Sequence, residues 1–233
     1  MTVAIDTNAA RNADLYPPIK YKSMRGHKTL IATFMTAAAL AVTARRPADF
    51  LVNAPERVVP LLSTSDRLDM LDYYRYGSTR GVKNMFQDES RIVEETPATL
   101  TLVCDSSAHM QLAVIPAGKD TLVAVATTVA LPAHETVIEF YHSDWTPAGK
   151  KAPRLAQYSD WFVDGVSDTI PAVAYTLPFV TAVAHFDSTA STLTLRNTVA
   201  EYLTPAEYDG LKHLLRDSIV YDISKGKFKQ RQL

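Results

Sequence analysis

The residues of this 233-residue chain best suited to chemistry are bases and aromatics, and the chemistry they suit is the holding of a polyanion. Lys20, Lys22, Arg25, His27 and Lys28 lie close together around Tyr21 in a window without an acid. On a strand, where successive side chains alternate between faces, about half of them share one side. Lys150, Lys151 and Arg154 form a second window beside Trp145, and Lys225, Lys227, Lys229 and Arg231 form a third near the C-terminus. Together the windows hold 11 of the 24 bases, leaving 13 against all 25 acids, so the net charge of −1 averages a basic minority with an acidic remainder. A single-stranded nucleic acid needs cations along its phosphates and flat side chains under its unstacked bases. Tyr16 and Tyr21 are the candidate stacking residues, with Trp145 beside the second window. The competing reading of each run is a solvated surface segment.

Catalytic patterns are weaker. No phosphate-binding loop, dinucleotide fingerprint, nucleophile elbow or paired-histidine zinc motif occurs. His142, Ser143 and Asp144 have the residue types of a hydrolytic triad, but neighbours at a strand end point apart whereas a triad converges. Asp160, Asp164 and Asp168 lack calcium-loop spacing, Asp66, Asp69 and Asp72 read as the polar face of a helix, and His109, His134, His185 and His213 show no ligand spacing. The expectation is a non-enzyme without metal or cofactor; a nuclease using some of these acids is the enzymatic alternative. Cys104 stands alone, which excludes an internal disulfide and paired-cysteine zinc sites and suits a reducing compartment.

The elements that must position these residues are mixed. Residues 1–15 read as a flexible polar arm, 16–223 as a single domain and 224–233 as a basic tail. The text at 1–14 lacks an apolar segment, and the apolar run from Leu30 to Ala44 is short for a membrane span, so no leader and no membrane contact are expected. Strands are predicted over 19–36, 50–62, 80–86, 99–104, 110–115, 136–141, 154–158, 172–177, 180–186 and 192–195. Asp105-Ser106-Ser107 joins two of them as a hairpin. Helices are predicted between Ser63 and Tyr74 with Ser65 or Thr64 as cap, from Ala117 to Leu131, and from Pro205 to Ile219 behind a Thr204 cap.

Two of these helix starts match: Pro116-Ala117-x-x-Asp120-x-Leu122 and Pro205-Ala206-x-x-Asp209-x-Leu211. Similar turns lie upstream, Asp105-Ser106-Ser107-Ala108 and Asp187-Ser188-Thr189-Ala190. The pattern reads as an α+β fold built from a duplicated unit of antiparallel strands followed by a helix, each copy covering the other's apolar stripe.

That organisation resembles the Whirly family of single-stranded nucleic-acid-binding proteins. Arg25-Gly26-His27-Lys28-Thr29-Leu30 is similar to the family's Lys-Gly-Lys-Ala-Ala-Leu, keeping Gly26 and Leu30. Glu139-Phe140-Tyr141-His142-Ser143-Asp144 is similar to its Glu-Phe-Phe-His-Asp-Pro, followed by Gly149-Lys150 for its Gly-Lys. Thr204-Pro205-Ala206-Glu207-Tyr208 is similar to the Thr-Lys-Ala-Glu-Phe that opens its last helix. Divergence from the plant signatures fits the family's bacteriophage-encoded relatives, which include RNA-binding proteins of the jumbo-phage nucleus.

The resemblance implies a non-catalytic, Whirly-like binder of single-stranded RNA or DNA, with RNA preferred. It further implies an intracellular site in a phage-infected host, self-association, and the phage nuclear shell protein as a partner. The binding residues so read are Lys20, Tyr21, Lys22, Arg25, His27, Lys28, Lys150, Lys151, Arg154, Lys225, Lys227 and Lys229. The alternative from another class is a viral structural or assembly protein whose bases meet an acidic protein.

Overall fold

The computed structural model describes residues 45–130 and 132–232. Its centre is a hairpin of two long strands, β4 (Ala108–Ala117) and β5 (Asp120–Ala130). Ahead of them come β1 (Val82–Lys83), β2 (Glu89–Glu95) and β3 (Thr99–Val103), and after them β6 (His134–His142). Each pairs antiparallel with the next, giving a six-stranded sheet in the order β1-β2-β3-β4-β5-β6. A second meander, β7 (Ala182–Phe186), β8 (Thr192–Asn197), β9 (Ser218–Ser224) and β10 (Lys227–Gln230), forms a four-stranded sheet in the order β10-β9-β8-β7.

The fold is thus α+β, with two antiparallel sheets and a few short helices. One face of the first sheet is covered by α1 (Pro47–Asn53), α2 (Thr64–Arg75) and the turns between them. Phe50, Leu51, Met70 and Leu71 meet Leu100, Leu102, Leu112, Val123 and Val125 there. The opposite face meets the second sheet, where Ala113, Ala124 and Ala126 let Phe186, Leu193, Leu195 and Ile219 approach closely. A third cluster, Phe162, Val173, Leu177, Val199 and Leu215, gathers the connection between the sheets, which carries α3 (Ile170–Val173), and the segment before β9, which carries α4 (Pro205–Leu211).

Several local predictions hold. Thr204 caps α4 as expected, accepting from Glu207 N at 3.3 Å; α2 forms as expected, but its cap is Ser63, accepting from Asp66 N at 3.2 Å, rather than Thr64 or Ser65. Strands β3, β4, β6, β7 and β8 and the Asp105-Ser106-Ser107 hairpin lie where expected.

Other predictions are corrected. The helix expected over 117–131 is β5 where it is described, reached through a turn in which Gly118 has φ of +72°. Thr121, Val123, Val125, Thr127, Thr128 and Val129 are branched at Cβ and favour the pleated surface. Because both faces are buried, apolar residues run continuously and mimic helical spacing. The first of the two matched helix starts is therefore a strand end and turn, not a helix. The second, α4, stops at Leu211 and a short turn, and Ser218–Ser224, part of which was assigned to that helix, is strand β9.

The strand expected over 50–62 is α1 followed by turns, with Pro47 at the first helical turn and Arg46 N donating to Asp49 Oδ2 at 2.9 Å. The strand expected over 80–86 shrinks to the two residues of β1; 154–158 runs irregularly into a short 3₁₀ turn, and 172–177 begins in α3. The tail at 224–233 is folded: β9 and β10 are joined by Lys225 and Gly226, both at positive φ as a two-residue hairpin turn requires. Gly226 is needed twice over, since a Cβ there would lie 2.7 Å from Ala117 Cβ. The arm at 1–15 and the strand at 19–36 lie outside the described residues.

The sheets are tied by a buried amide. Gln111 Nε2 donates to Phe186 O at 3.0 Å, and Phe186 N donates to Gln111 Oε1 at 2.8 Å. Phe186 belongs to β7, an edge strand of the second sheet, so Gln111 takes the place of a neighbouring strand. Ala184 N, two residues away, donates to Thr136 Oγ1 at 3.0 Å. Replacing Gln111 with Ala leaves one buried donor and one buried acceptor unpaired. The expected loss is about 2–4 kcal/mol of unfolding free energy, read from the urea midpoint.

Candidate functional site

The two-sided burial of β4 and β5 sets up an apolar recess. Eleven-residue β5 spans about 37 Å at ~3.4 Å per residue, whereas twelve-residue α2 spans about 18 Å. The helical layer is too short to cover the sheet, and one end of the face stays open. There a cavity of about 310 Å³ lies between Val58, Val59 and Leu62 on the helical side and Met110, Thr127 and Val137 on the sheet. Arg57 and Glu139 supply its charged lining. Val137 is 62% exposed, which marks the open side.

The wall formed by 54–62 has no regular secondary structure, and Arg67 holds it. This side chain is 1% exposed and donates to the carbonyls of Ala54, Val59 and Leu62, with Nη1 also 3.4 Å from those of Leu51 and Val52 at the end of α1. Its guanidinium supplies five donors where the turns would otherwise bury unpaired oxygens. Burial pushes its pKa below the ordinary value, with Glu56 and Asp66 opposing. Cys104 lies on the cavity floor, and burial first, then Asp105, pushes its thiol up to about 12. Such a thiol stays protonated near neutrality and is a poor nucleophile. In the core nearby, the Tyr141 phenol is raised by burial and by Glu139, with Arg57 acting the other way.

A second cavity, of about 390 Å³, is lined from both sheets. His109, His134 and His185, scattered in sequence, meet there with Glu94, Arg196 and Glu201. His134 N and Nδ1 both contact Glu201 Oε2, at 2.8 and 2.7 Å, and the backbone contact is the main reason the Glu201 carboxyl lies below its usual range. Thr198 Oγ1 donates to His134 O at 2.7 Å, so this seam ties β6 to the second sheet's connections. Among the described residues no group of three or more His, Cys, Asp or Glu is arranged to hold a metal.

The residues predicted from sequence divide. Lys20, Tyr21, Lys22, Arg25, His27 and Lys28 lie outside the described residues, as does Tyr16. Lys150, Lys151 and Arg154 are exposed on and beside a short 3₁₀ turn. Lys225 is exposed in the hairpin turn, and Lys227 and Lys229 share the solvent side of β10 because Phe228, between them, packs against Phe140, 5.6 Å between ring centres. None of these six makes an ion pair among the described residues, whereas Arg231 pairs with Asp222 at 2.6 Å.

Trp145 is corrected. Rather than standing open beside the second basic window it is 6% exposed, wedged edge-on between Phe50 and Tyr141. Trp161 and Phe162 are buried, as expected. His142 and Ser143 both turn toward Asp120, at 2.9 and 3.5 Å, and Asp144 serves Thr146, so these three side chains do not assemble a triad. Arg67, Gln111 and the cavity wall at 57–62 carry no motif in the sequence; Pro55 and Pro60 are the visible signal at the wall, and they fall inside the strand expected over 50–62.

Two antiparallel sheets, one half-roofed by helices over an apolar recess, define the class of fold. A family profile described as a protein of unknown function, DUF3256, matches residues 39–228, and the chain belongs to that family. The solved structure of a domain of an uncharacterized protein from Porphyromonas gingivalis W83 is similar to it, with a TM-score of 0.64 and 19% identity over 80% of this chain and 98% of that one. Comparison with curated proteins returns no match. No helix among the described residues is long and apolar enough to cross a membrane.

Two outcomes check this geometry. Arg67→Met, which keeps the bulk but removes the donors, is expected to lower stability by about 3 kcal/mol or more in urea unfolding. Cys104 is expected to resist iodoacetamide near about pH 8 in the folded protein and to react once urea unfolds the chain, read by intact mass.

Proposed function

We propose that the folded unit binds a small, largely apolar molecule in the recess between the 57–62 wall and the β4-β5-β6 face. The carrying observation is the cavity itself: about 310 Å³, walled by Val58, Val59, Leu62, Met110 and Val137, with Arg57 and Glu139 among its lining. That volume is at the small-molecule scale, and a mostly apolar lining with a few polar groups is what such sites use for affinity and orientation. Arg57 donates to the Trp145 carbonyl, which steadies its position. An acyl-like ligand with a carboxylate end suits this pattern, its chain on the valines and its acid near Arg57. The reading is of binding rather than chemistry, since the one thiol in the recess is held protonated.

The test is titration with 1-anilinonaphthalene-8-sulfonate, followed by displacement with a medium-chain fatty acid. Saturable binding is expected, weakened at least tenfold by Val137→Arg, a change at a largely exposed position that leaves the fold intact. Absence of saturable binding, or equal affinity in the variant, overturns the reading.

A second reading keeps the Whirly-like, single-stranded nucleic-acid proposal. Its support is that the chain flanking the 149–151 turn and the β9–β10 hairpin pack on the same core, through Ala148, Leu155 and Phe228, and present the unpaired Lys150, Lys151, Arg154, Lys225, Lys227 and Lys229. Fluorescence anisotropy with single-stranded RNA, single-stranded DNA and duplex DNA at two salt concentrations checks it. Salt-steep preference for single strands, lost on replacing Lys225, Lys227 and Lys229 with Gln, is the expected outcome.

A further inference from the structure

Between residues 15 and 48 the sequence contains no Asp or Glu, and the bases in that interval fall in two groups with an apolar run between them. Lys20, Lys22, Arg25 and Lys28 come first. Leu30 to Val42 follows, thirteen residues without a charge, interrupted only by Thr33 and Thr36. Val42-Thr43-Ala44 then sets small residues three and one positions ahead of Arg45 and Arg46. A basic segment, an apolar stretch of about 7–15 residues and small residues at those two positions are the three parts of an export leader. The run is too short to span a bilayer as a permanent anchor, which needs about 20 residues. From Lys20 to Ala44 is 25 residues, within the length of an ordinary leader. The pattern lies downstream of the polar residues 1–14, and for that reason an inspection of the N-terminus alone passes over it.

The folded unit supplies an independent boundary. The chain divides into two units, 1–44 and 45–233, and Arg45 is the first residue of the second. Arg45 Nη1 donates to Ser143 O at 3.2 Å, and its guanidinium lies over the Phe50 ring at 5.0 Å. Arg46 pairs at 2.8 Å with Glu95, whose side chain is 5% exposed. A buried carboxylate left without its cation is strongly unfavourable, so Arg46 belongs to the folded unit. Pro47 then opens α1 directly. Arg45, the first residue of the second unit, directly follows the Val42-Thr43-Ala44 motif.

We propose that the chain is exported and that the peptide bond between Ala44 and Arg45 is a processing site for a membrane-bound leader peptidase. The step is hydrolysis: water adds across the Ala44–Arg45 amide, its hydroxyl going to the Ala44 carbonyl and its proton to the Arg45 nitrogen. The released fragment ends in the Ala44 carboxylate, and the mature protein begins with an α-ammonium on Arg45. Lys20, Lys22, Arg25 and Lys28 then serve as the leader's basic segment and take no part in any surface of the mature protein. Export stands independently of what the recess binds.

The test expresses the full chain with a C-terminal tag in a Gram-negative host and reads the cell fraction and the intact mass of the product. A periplasmic product whose first residue is Arg45 is expected. Leu40→Arg, which breaks the apolar run, should leave the precursor unprocessed in the cytoplasm, and Ala44→Phe should abolish the Arg45 terminus while leaving the mature sequence untouched. A wild-type product that keeps residues 24–44 and stays cytoplasmic overturns the proposal, and a product beginning at Val42 overturns the assigned bond.

Discussion

The β4–β5 hairpin is buried on both faces, and the rest of the described structure follows from that constraint. Leu112, Val123 and Val125 point to one side, Ala113, Ala124 and Ala126 to the other, and neither set tolerates water. Each face therefore needs a cover. A second sheet supplies one, helped by alanines that allow close approach; two short helices and a string of turns supply the other. The covers differ in length, and the recess is what the shorter one leaves open.

Both covers are fastened by buried polar side chains that serve backbone groups no secondary structure reaches. Gln111 presents its amide to the edge of β7 as a strand would. Arg67 collects the carbonyls of 54–62, where the chain turns too sharply for a helix or ladder. An unpaired buried N–H or C=O is penalised by about 1–3 kcal/mol, so one well-placed amide or guanidinium is enough to make an irregular arrangement preferable to its alternatives. The same side chains shape function, since Arg67 holds the wall against which a ligand would lie.

The uneven charge takes on a different meaning once the fold is divided at Arg45. Bases ahead of that residue precede an apolar run; bases behind it are dispersed over the surface of a folded unit, and Asp222 offsets Arg231 beside Lys229. A charge count made along the whole chain adds these two populations together.

Local signals were legible in the sequence wherever the chain's own neighbours decide the outcome. Thr204 with Glu207 caps a helix through contacts three residues apart, and Asp105-Ser106-Ser107 turns on its own hydrogen bonds. The family likeness of the Whirly kind was drawn from such short stretches, and the matched pair at Pro116 and Pro205 shows their limit: near-identical text ends a strand in one place and starts a helix in the other. Strand β5 was hidden because burial on both faces erases the period of two, and β10 because three lysines outweighed one Phe228. The recess, the Gln111 clasp and the Arg67 hub were decided only by tertiary structure. Each depends on residues far apart in the chain, and on which polar groups remain unpaired after packing, a quantity with no value until the sheets and helices have met.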